Sequence, residues 1–170
     1  MKVTGGSPRL AGDSDNWRWR AAPAAGPAVV FDLDGVLSDA ASRQHFLEGP
    51  SRDWDAFFEA CGDDPLIEDV ARLLSLLDPT LLIVLLTARP LWVQAETLAW
   101  LHRYRLRWDL LVMRDHGDYL AARDFKRRSV RQLREAGLEL ELSFEDDRRN
   151  VAMFRGEGVP CVYVHSGYYD

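Results

Sequence analysis

The chain has 170 residues, of which 47% are hydrophobic and 28% charged, and its formal net charge is -6. That length suits one domain with a sizeable core, and the acidic balance argues against a dedicated duplex-DNA binder, whose footprint is usually basic. No apolar run reaches membrane-spanning length, the N-terminus lacks the apolar core of a secretory signal, and the two distant cysteines, Cys61 and Cys161, point to a reduced, cytoplasmic compartment.

Residues 1–27 are rich in Gly, Ala, Pro, Ser and Asp without periodicity, which predicts a mobile leader. Within it, Trp17-Arg18-Trp19-Arg20 has two readings. Its indoles can pack on the domain, or it can form a stacking and phosphate-contacting arm for single-stranded nucleic acid. Ala28 to Phe31 is an apolar run of the kind a strand shows when both its faces are covered. It ends in Asp32-Leu33-Asp34-Gly35, two acids two residues apart before a turn-permitting glycine. Ligands of open α/β sheets bind just outside the carboxyl ends of strands. Two acids there repel and resist joint ionisation, and a bound divalent cation resolves the repulsion. An Asp-rich turn is the alternative.

The stretch from Ala40 to Asp64 is polar and aromatic, with Trp54, Phe57 and Phe58 at near-helical spacing. It predicts a loop and a short helix over the strand ends. Asp63-Asp64-Pro65 reads as a helix start with Pro at the first helical position. Leu66, Ile67, Val70, Leu73, Leu74 and Leu77 continue at helical period, and Asp78-Pro79 closes the helix. Leu81 to Leu86 predicts a second central strand, ending at Thr87-Ala88-Arg89-Pro90. A helix with Val93, Leu98 and Leu101 inward is expected to follow directly, so that Thr87 caps it or holds an anion at its N-terminus. Arg89 is a bidentate phosphate ligand or a surface ion pair. Asp109 to Met113 predicts a strand with Arg114 at its end, and Arg114 to Arg123 a polar loop. Lys126 lies near the start of a helix carrying Val130 and Leu133. Leu140 to Phe144 predicts a strand ending in Glu145-Asp146-Asp147-Arg148, where three acids require a cation or donors. Helix Asn150 to Phe154 and strand Pro160 to Val164 follow.

Four of these stretches, in this order, resemble the motifs of the haloacid dehalogenase (HAD) superfamily of phosphotransferases. They are the two acids after the first strand, the hydroxyl of Thr87, the lone Lys126 and the acidic strand end. The resemblance implies an α/β fold, a three-layer Rossmann-like HAD fold with a mostly parallel central sheet and minimal cap, over residues 28–170. It implies Asp32 as a nucleophile that forms an aspartyl phosphate and Asp34 as general acid and base. Mg²⁺ would be held by the Asp32 carboxylate, the Asp34 carbonyl and Asp146 or Asp147. Thr87 would hold the transferring phosphoryl group, and Lys126 would balance its charge.

Leu86-Thr87-Ala88-Arg89, Val112-Met113-Arg114, Gly117-Asp118, Glu145-Asp146-Asp147-Arg148 and the ending from Gly158 to Gly167 are more specific. They are similar to the 3′-phosphatase domain of bacteriophage-type polynucleotide kinase-phosphatases. That family has an acid four residues before the catalytic lysine; here Ala122 stands there, with Asp118 and Asp124 as stand-ins. There is no Gly-x-x-x-x-Gly-Lys-Ser/Thr phosphate loop, so any 5′-kinase activity would need a partner, as would ligation. The expected activity is a Mg²⁺-dependent polynucleotide 3′-phosphatase. Arg89 and Arg114 would face the rim and bind the next phosphate of a nucleic-acid 3′ end. A small-molecule phosphatase such as a nucleotidase is the second enzyme reading. A binding module that keeps the fold is the non-enzyme one.

Overall fold

The computed structural model describes residues 15–169, and it opens with a strand where the sequence predicts a leader. Strand β1 (Trp17–Trp19) alternates half-buried, exposed, half-buried. The period of two turns both tryptophans towards the apolar cluster on one face of the sheet and Arg18 to solvent. The expected leader therefore gives way to strand within its own span, because two indoles this close to the domain are too apolar to leave in water. Residues 1–14 lie outside the described residues.

Strand β2 (Gly26–Phe31) follows. The stretch expected to form a loop and a short helix is a 3₁₀ helix (Ala41–Leu47), helix α1 (Trp54–Glu59) and a second 3₁₀ turn (Ala60–Asp63). Helix α2 (Glu68–Leu76) starts later than Pro65 suggests. Asp64 is buried and engaged elsewhere, so the chain stays extended through it. Strand β3 (Leu82–Pro90) runs past Thr87, a 3₁₀ turn (Leu91–Val93) intervenes, and helix α3 (Gln94–Arg103) comes after it. Thr87 is therefore a strand residue and caps no helix. Pro90 explains the difference, since its ring disfavours α backbone at the residue before it. Strand β4 (Leu110–Arg114), helix α4 (Ala122–Glu135), strand β5 (Leu138–Glu145), helix α5 (Arg148–Gly156) and strand β6 (Cys161–Tyr163) complete the order.

The six strands form one sheet in the order β1-β4-β3-β2-β5-β6. All neighbours are parallel except the edge strand β1, which pairs antiparallel with β4. Side-chain alternation divides the core. Val29, Phe31, Ile83, Leu85, Leu111 and Met113 face α2 and α3. Ala28, Val30, Val84, Leu86, Leu110 and Val112 face α4 and α5. This is the expected three-layer α/β architecture, with a mostly parallel sheet between helical layers. From β2 the chain winds outward through β3 and β4, then returns to the other side of β2 with β5. That reversal leaves a crevice beyond the carboxyl ends of β2 and β5, where such folds bind ligands. No helix among the described residues is long and apolar enough to cross a membrane.

Candidate active site

Strand β2 carries the chain into the crevice at Asp32. Its N–H continues the sheet by donating to Phe144 O at 3.1 Å, which ties the first residue past β2 to β5. The chain then turns over Gly35, whose φ of +80° is a conformation open to glycine. A Cβ there would fall 1.9 Å from Asp146 Oδ2, so the missing side chain is what lets Asp146 reach the turn.

Asp32 and Asp34 do not share surroundings. Asp32 Oδ1 accepts from Leu33 N at 2.8 Å, and Lys126 Nζ lies 2.8 Å from Oδ2. Lys126 is 1% exposed, rises from α4, and also reaches Glu145 Oε2 at 2.7 Å. Its desolvation opposes its charge, yet Asp32 and Glu145 raise its pKa well above that of an ordinary lysine. Ligand atoms of Asp32, Glu145 and Asp146 lie within 4.8 Å of one another. Burial and the neighbouring Glu145 charge push the Asp32 pKa upward against Lys126. Asp146 goes up to about 7, first through burial and then through Asp32. Both of its carboxylate oxygens are buried and make no hydrogen bond of normal geometry among the described residues, and the Ser166 hydroxyl nearby offsets only part of the rise. Buried carboxylate oxygens so weakly served are costly, and three carboxylates against one ammonium leave two negative charges. The donors are all oxygens, so the group fits a hard divalent cation such as Mg²⁺.

Asp34 belongs to a second, equally charged network. Its Oδ1 accepts from Arg43 Nη2 at 2.8 Å, from Arg89 Nη2 at 2.6 Å and from Arg89 Nε at 3.0 Å. Its Oδ2 meets no donor among the described residues, and the side chain is 21% exposed. Despite its burial, the two guanidiniums hold the Asp34 carboxyl below the usual range. Asp64 closes the network. It accepts from Arg43 Nε and Nη2 at 2.8 and 2.6 Å and from Ser38 Oγ at 2.5 Å. Its own carbonyl accepts from the Trp100 indole at 2.8 Å. Two acids and two arginines balance, which is the condition for keeping such a group buried. Two neighbouring acids on one turn are thus separated onto different cations.

Several expected site residues stand elsewhere than the sequence suggests. Arg89 is neither a rim residue nor a surface ion pair. It is fully buried, because the approach of Asp34, Ser38 Oγ at 2.9 Å and Thr97 Oγ1 at 3.2 Å draws it inward. Arg114 is half-buried at the end of β4, donates to Leu120 O at 2.7 Å and lies 5.6 Å over the Phe125 ring. Asp147 is outside the acidic group. It caps α5 by accepting from Arg149 N at 2.8 Å and pairs with the Arg149 guanidinium at 2.9 Å. Of the two acids left open, Asp146 is the one that faces Asp32. The Asp34 carboxylate also lies outside the acidic group. Thr87 is buried, and its Oγ1 accepts from Arg89 N at 3.2 Å. Neither stand-in for the acid before Lys126 reaches that lysine: Asp118 pairs with Arg128 and Asp124 with Arg127. Arg43 and Asp64 are the members that sequence reading does not select, and Glu145, marked there within the acidic strand end, is given no role by it.

The model of the family described as the polynucleotide kinase PNKP phosphatase domain matches residues 26–169. Among solved structures, a chain of the Pnkp1/Rnl/Hen1 RNA repair complex is 27% identical with a TM-score of 0.70, over 82% of this chain and 42% of that one. A chain of a further Pnkp1/Rnl/Hen1 complex is 29% identical with a TM-score of 0.69, over 88% of this chain and 48% of that one. The present chain thus spans less than half the length of either. The class C acid phosphatase from Bacillus anthracis with tungstate bound shares the fold at 15% identity and a TM-score of 0.60, over 86% of this chain and 69% of that one. No curated protein matches the chain.

Proposed function

The chain belongs to the polynucleotide kinase PNKP phosphatase-domain family, and we propose that it is a Mg²⁺-dependent phosphomonoesterase acting on 3′-phosphate ends of polynucleotides. The observation that carries this reading is Asp32, held 2.8 Å from Lys126 and beside the buried, poorly hydrogen-bonded oxygens of Asp146. Asp32 and Asp146 would hold the metal, with the Asp34 carbonyl that the resemblance implies. When bound, Mg²⁺ offsets charge on the carboxylates and on the phosphate oxygens.

Asp32 attacks phosphorus in line, the bond to the leaving 3′ oxygen breaks, and the phosphoryl group rests on the Asp32 carboxylate. Lys126 and the Thr87 hydroxyl stabilise the equatorial oxygens. Asp34 moves the protons at Oδ2, the oxygen its arginines leave open. It takes one from the water that cleaves the acyl phosphate and releases orthophosphate, and that proton is the one it gives to the leaving hydroxyl of the next turnover. Arg43 and Arg89, both on Oδ1, fix which oxygen does this, and Asp64 fixes the arginines. Glu145 holds Lys126 against Asp32.

The RNA repair complex to which the structural relatives belong makes RNA the first polymer to test. A separate kinase or ligase would act on the same ends, in a reducing, cytoplasmic setting that suits two buried free cysteines. Phosphate release from 3′-phosphorylated oligonucleotides, 5′-phosphorylated oligonucleotides and mononucleotides is the test. Preference for the first supports the proposal. Faster turnover of mononucleotides selects a nucleotidase, and no turnover of any selects a binding module.

A further inference from the structure

The segment after β6 returns across the catalytic crevice. Val164 N donates to Glu145 O at 2.9 Å. Ser166 packs against the turn that carries the nucleophile, its Cβ 3.0 Å from where a Gly35 Cβ would sit. Tyr168 then anchors the segment by donating its hydroxyl to Asp39 Oδ1 at 2.8 Å. Tyr169 follows this anchor and is 53% exposed. The Arg149 guanidinium lies 5.9 Å from its ring centroid. Arg149 is itself fixed through Nε and Nη2 to the two Asp147 oxygens, at 3.1 and 2.9 Å.

A nucleoside 3′-phosphate seated on Asp32 projects its sugar and base outward past the residues bordering Asp32 and Asp146. We propose that Tyr169, backed by Arg149, is the stacking platform for the nucleobase of the nucleotide that carries the 3′-phosphate, an inference that rests on the polynucleotide reading of the site. An aromatic ring accepts any base through its π-face, so such a platform favours nucleotide ends over other phosphomonoesters without choosing a sequence. A ring supported by an arginine is already oriented, which lowers the entropy lost on stacking.

The test compares two 3′-phosphorylated oligonucleotides that differ in the last residue, one with its base and one abasic, with glycerol 2-phosphate as the small reference substrate. The readout is the ratio of KM for the abasic end to KM for the base-bearing end. Stacking of this kind predicts a ratio of about 5 to 150 for the unaltered protein. Tyr169→Phe should keep that ratio, and Tyr169→Ala should bring it close to unity. A ratio near unity in the unaltered protein, or a ratio that survives in Tyr169→Ala, overturns the inference while the polynucleotide reading stands. If the unaltered protein turns over neither oligonucleotide better than glycerol 2-phosphate, the polynucleotide reading falls and this inference falls with it.

Discussion

Replacing Gly35 by alanine isolates the contact on which the acidic group depends. The substitution adds two costs that separate experimentally. The first is backbone strain, since φ of +80° costs an alanine about 1–2 kcal/mol. The second is a collision of the new methyl with Asp146 Oδ2 at 1.9 Å and Asp146 Cγ at 2.6 Å. To restore a separation of 3.0 Å, the oxygen must retreat by about 1.1 Å. Asp146 is 1% exposed, so it has no solvent to retreat into without moving the strand end. Misplacement by about 1 Å in a catalytic arrangement costs on the order of 100-fold, and kcat/KM for phosphate release should fall by that much. Gly49→Ala is the control, because Gly49 has the same φ of +80° and nothing within 4 Å of an added Cβ. The strain alone should cost both variants about 2–8 °C in Tm, with a further loss in Gly35→Ala from the collision, but Gly49→Ala should keep its activity. If kcat/KM of Gly35→Ala lies within threefold of Gly49→Ala, Asp146 does not depend on this turn and the reasoning is refuted.

Asp32→Asn keeps shape and removes the attacking charge, so a folded variant should turn over substrate at under about one per cent of the normal rate; appreciable residual turnover rules out covalent catalysis. Asp64→Asn leaves two buried arginines facing one carboxylate. Breaking such a pair costs about 3–5 kcal/mol, which calorimetry should record as a Tm drop of about 6–20 °C, and an unchanged Tm contradicts the network. Asp146→Ala should raise the Mg²⁺ concentration for half-maximal activity at least about tenfold. Asp147→Ala should leave that concentration unchanged and cost about 1 kcal/mol of stability through the lost helix cap; equal metal shifts in the two would put Asp147 back among the ligands. Chelation should abolish phosphate release and Mg²⁺ restore it, while Ca²⁺ should bind without supporting turnover because its coordination is looser. Activity that persists in excess chelator excludes the metal.

The strands were legible because parallel strands buried on both faces leave uninterrupted apolar runs, and Ala28 to Phe31 and Leu81 to Leu86 are such runs. Boundaries were less legible where a side chain had a tertiary partner. Asp64 before Pro65 has the local chemistry of a helix start, but its carboxylate is taken by Arg43 and Ser38, and α2 begins at Glu68. Thr87 before Arg89-Pro90 looks like a helix cap, but β3 continues to Pro90. Trp17 and Trp19 sit in a leader-like composition, and what makes them a strand is β4, nearly a hundred residues away in sequence.

The candidate site was more legible in its strand-end acids than in Asp64 or in its cations, where motif order alone marked Lys126 and nothing marked Arg43, and the reason is electrostatic. Acids of the site come in close sequence pairs at strand ends, Asp32 with Asp34 and Glu145 with Asp146, so repulsion itself marks them. The cations that relieve the repulsion come from three different segments: Arg43 after the first turn, Arg89 near the end of β3, and Lys126 in α4. Nothing local distinguishes Arg43 from a solvated arginine, and Lys126 stands beside Arg127 and Arg128, which look equally basic. Burial selects among them: Arg43 and Lys126 are each 1% exposed, whereas Arg127 and Arg128 have side chains 36% and 46% exposed. The division of charge also accounts for the different behaviour of two carboxylates only two residues apart. Asp34 and Asp64 are matched by two arginines, so the Asp34 pKa is held low, with one oxygen fixed and the other open to take and pass on a proton. Asp32, Glu145 and Asp146 share one lysine, so their group keeps an excess of negative charge. A divalent cation would answer that excess where a third arginine would bury it, and would leave the crevice open to a phosphate that the acids alone would repel.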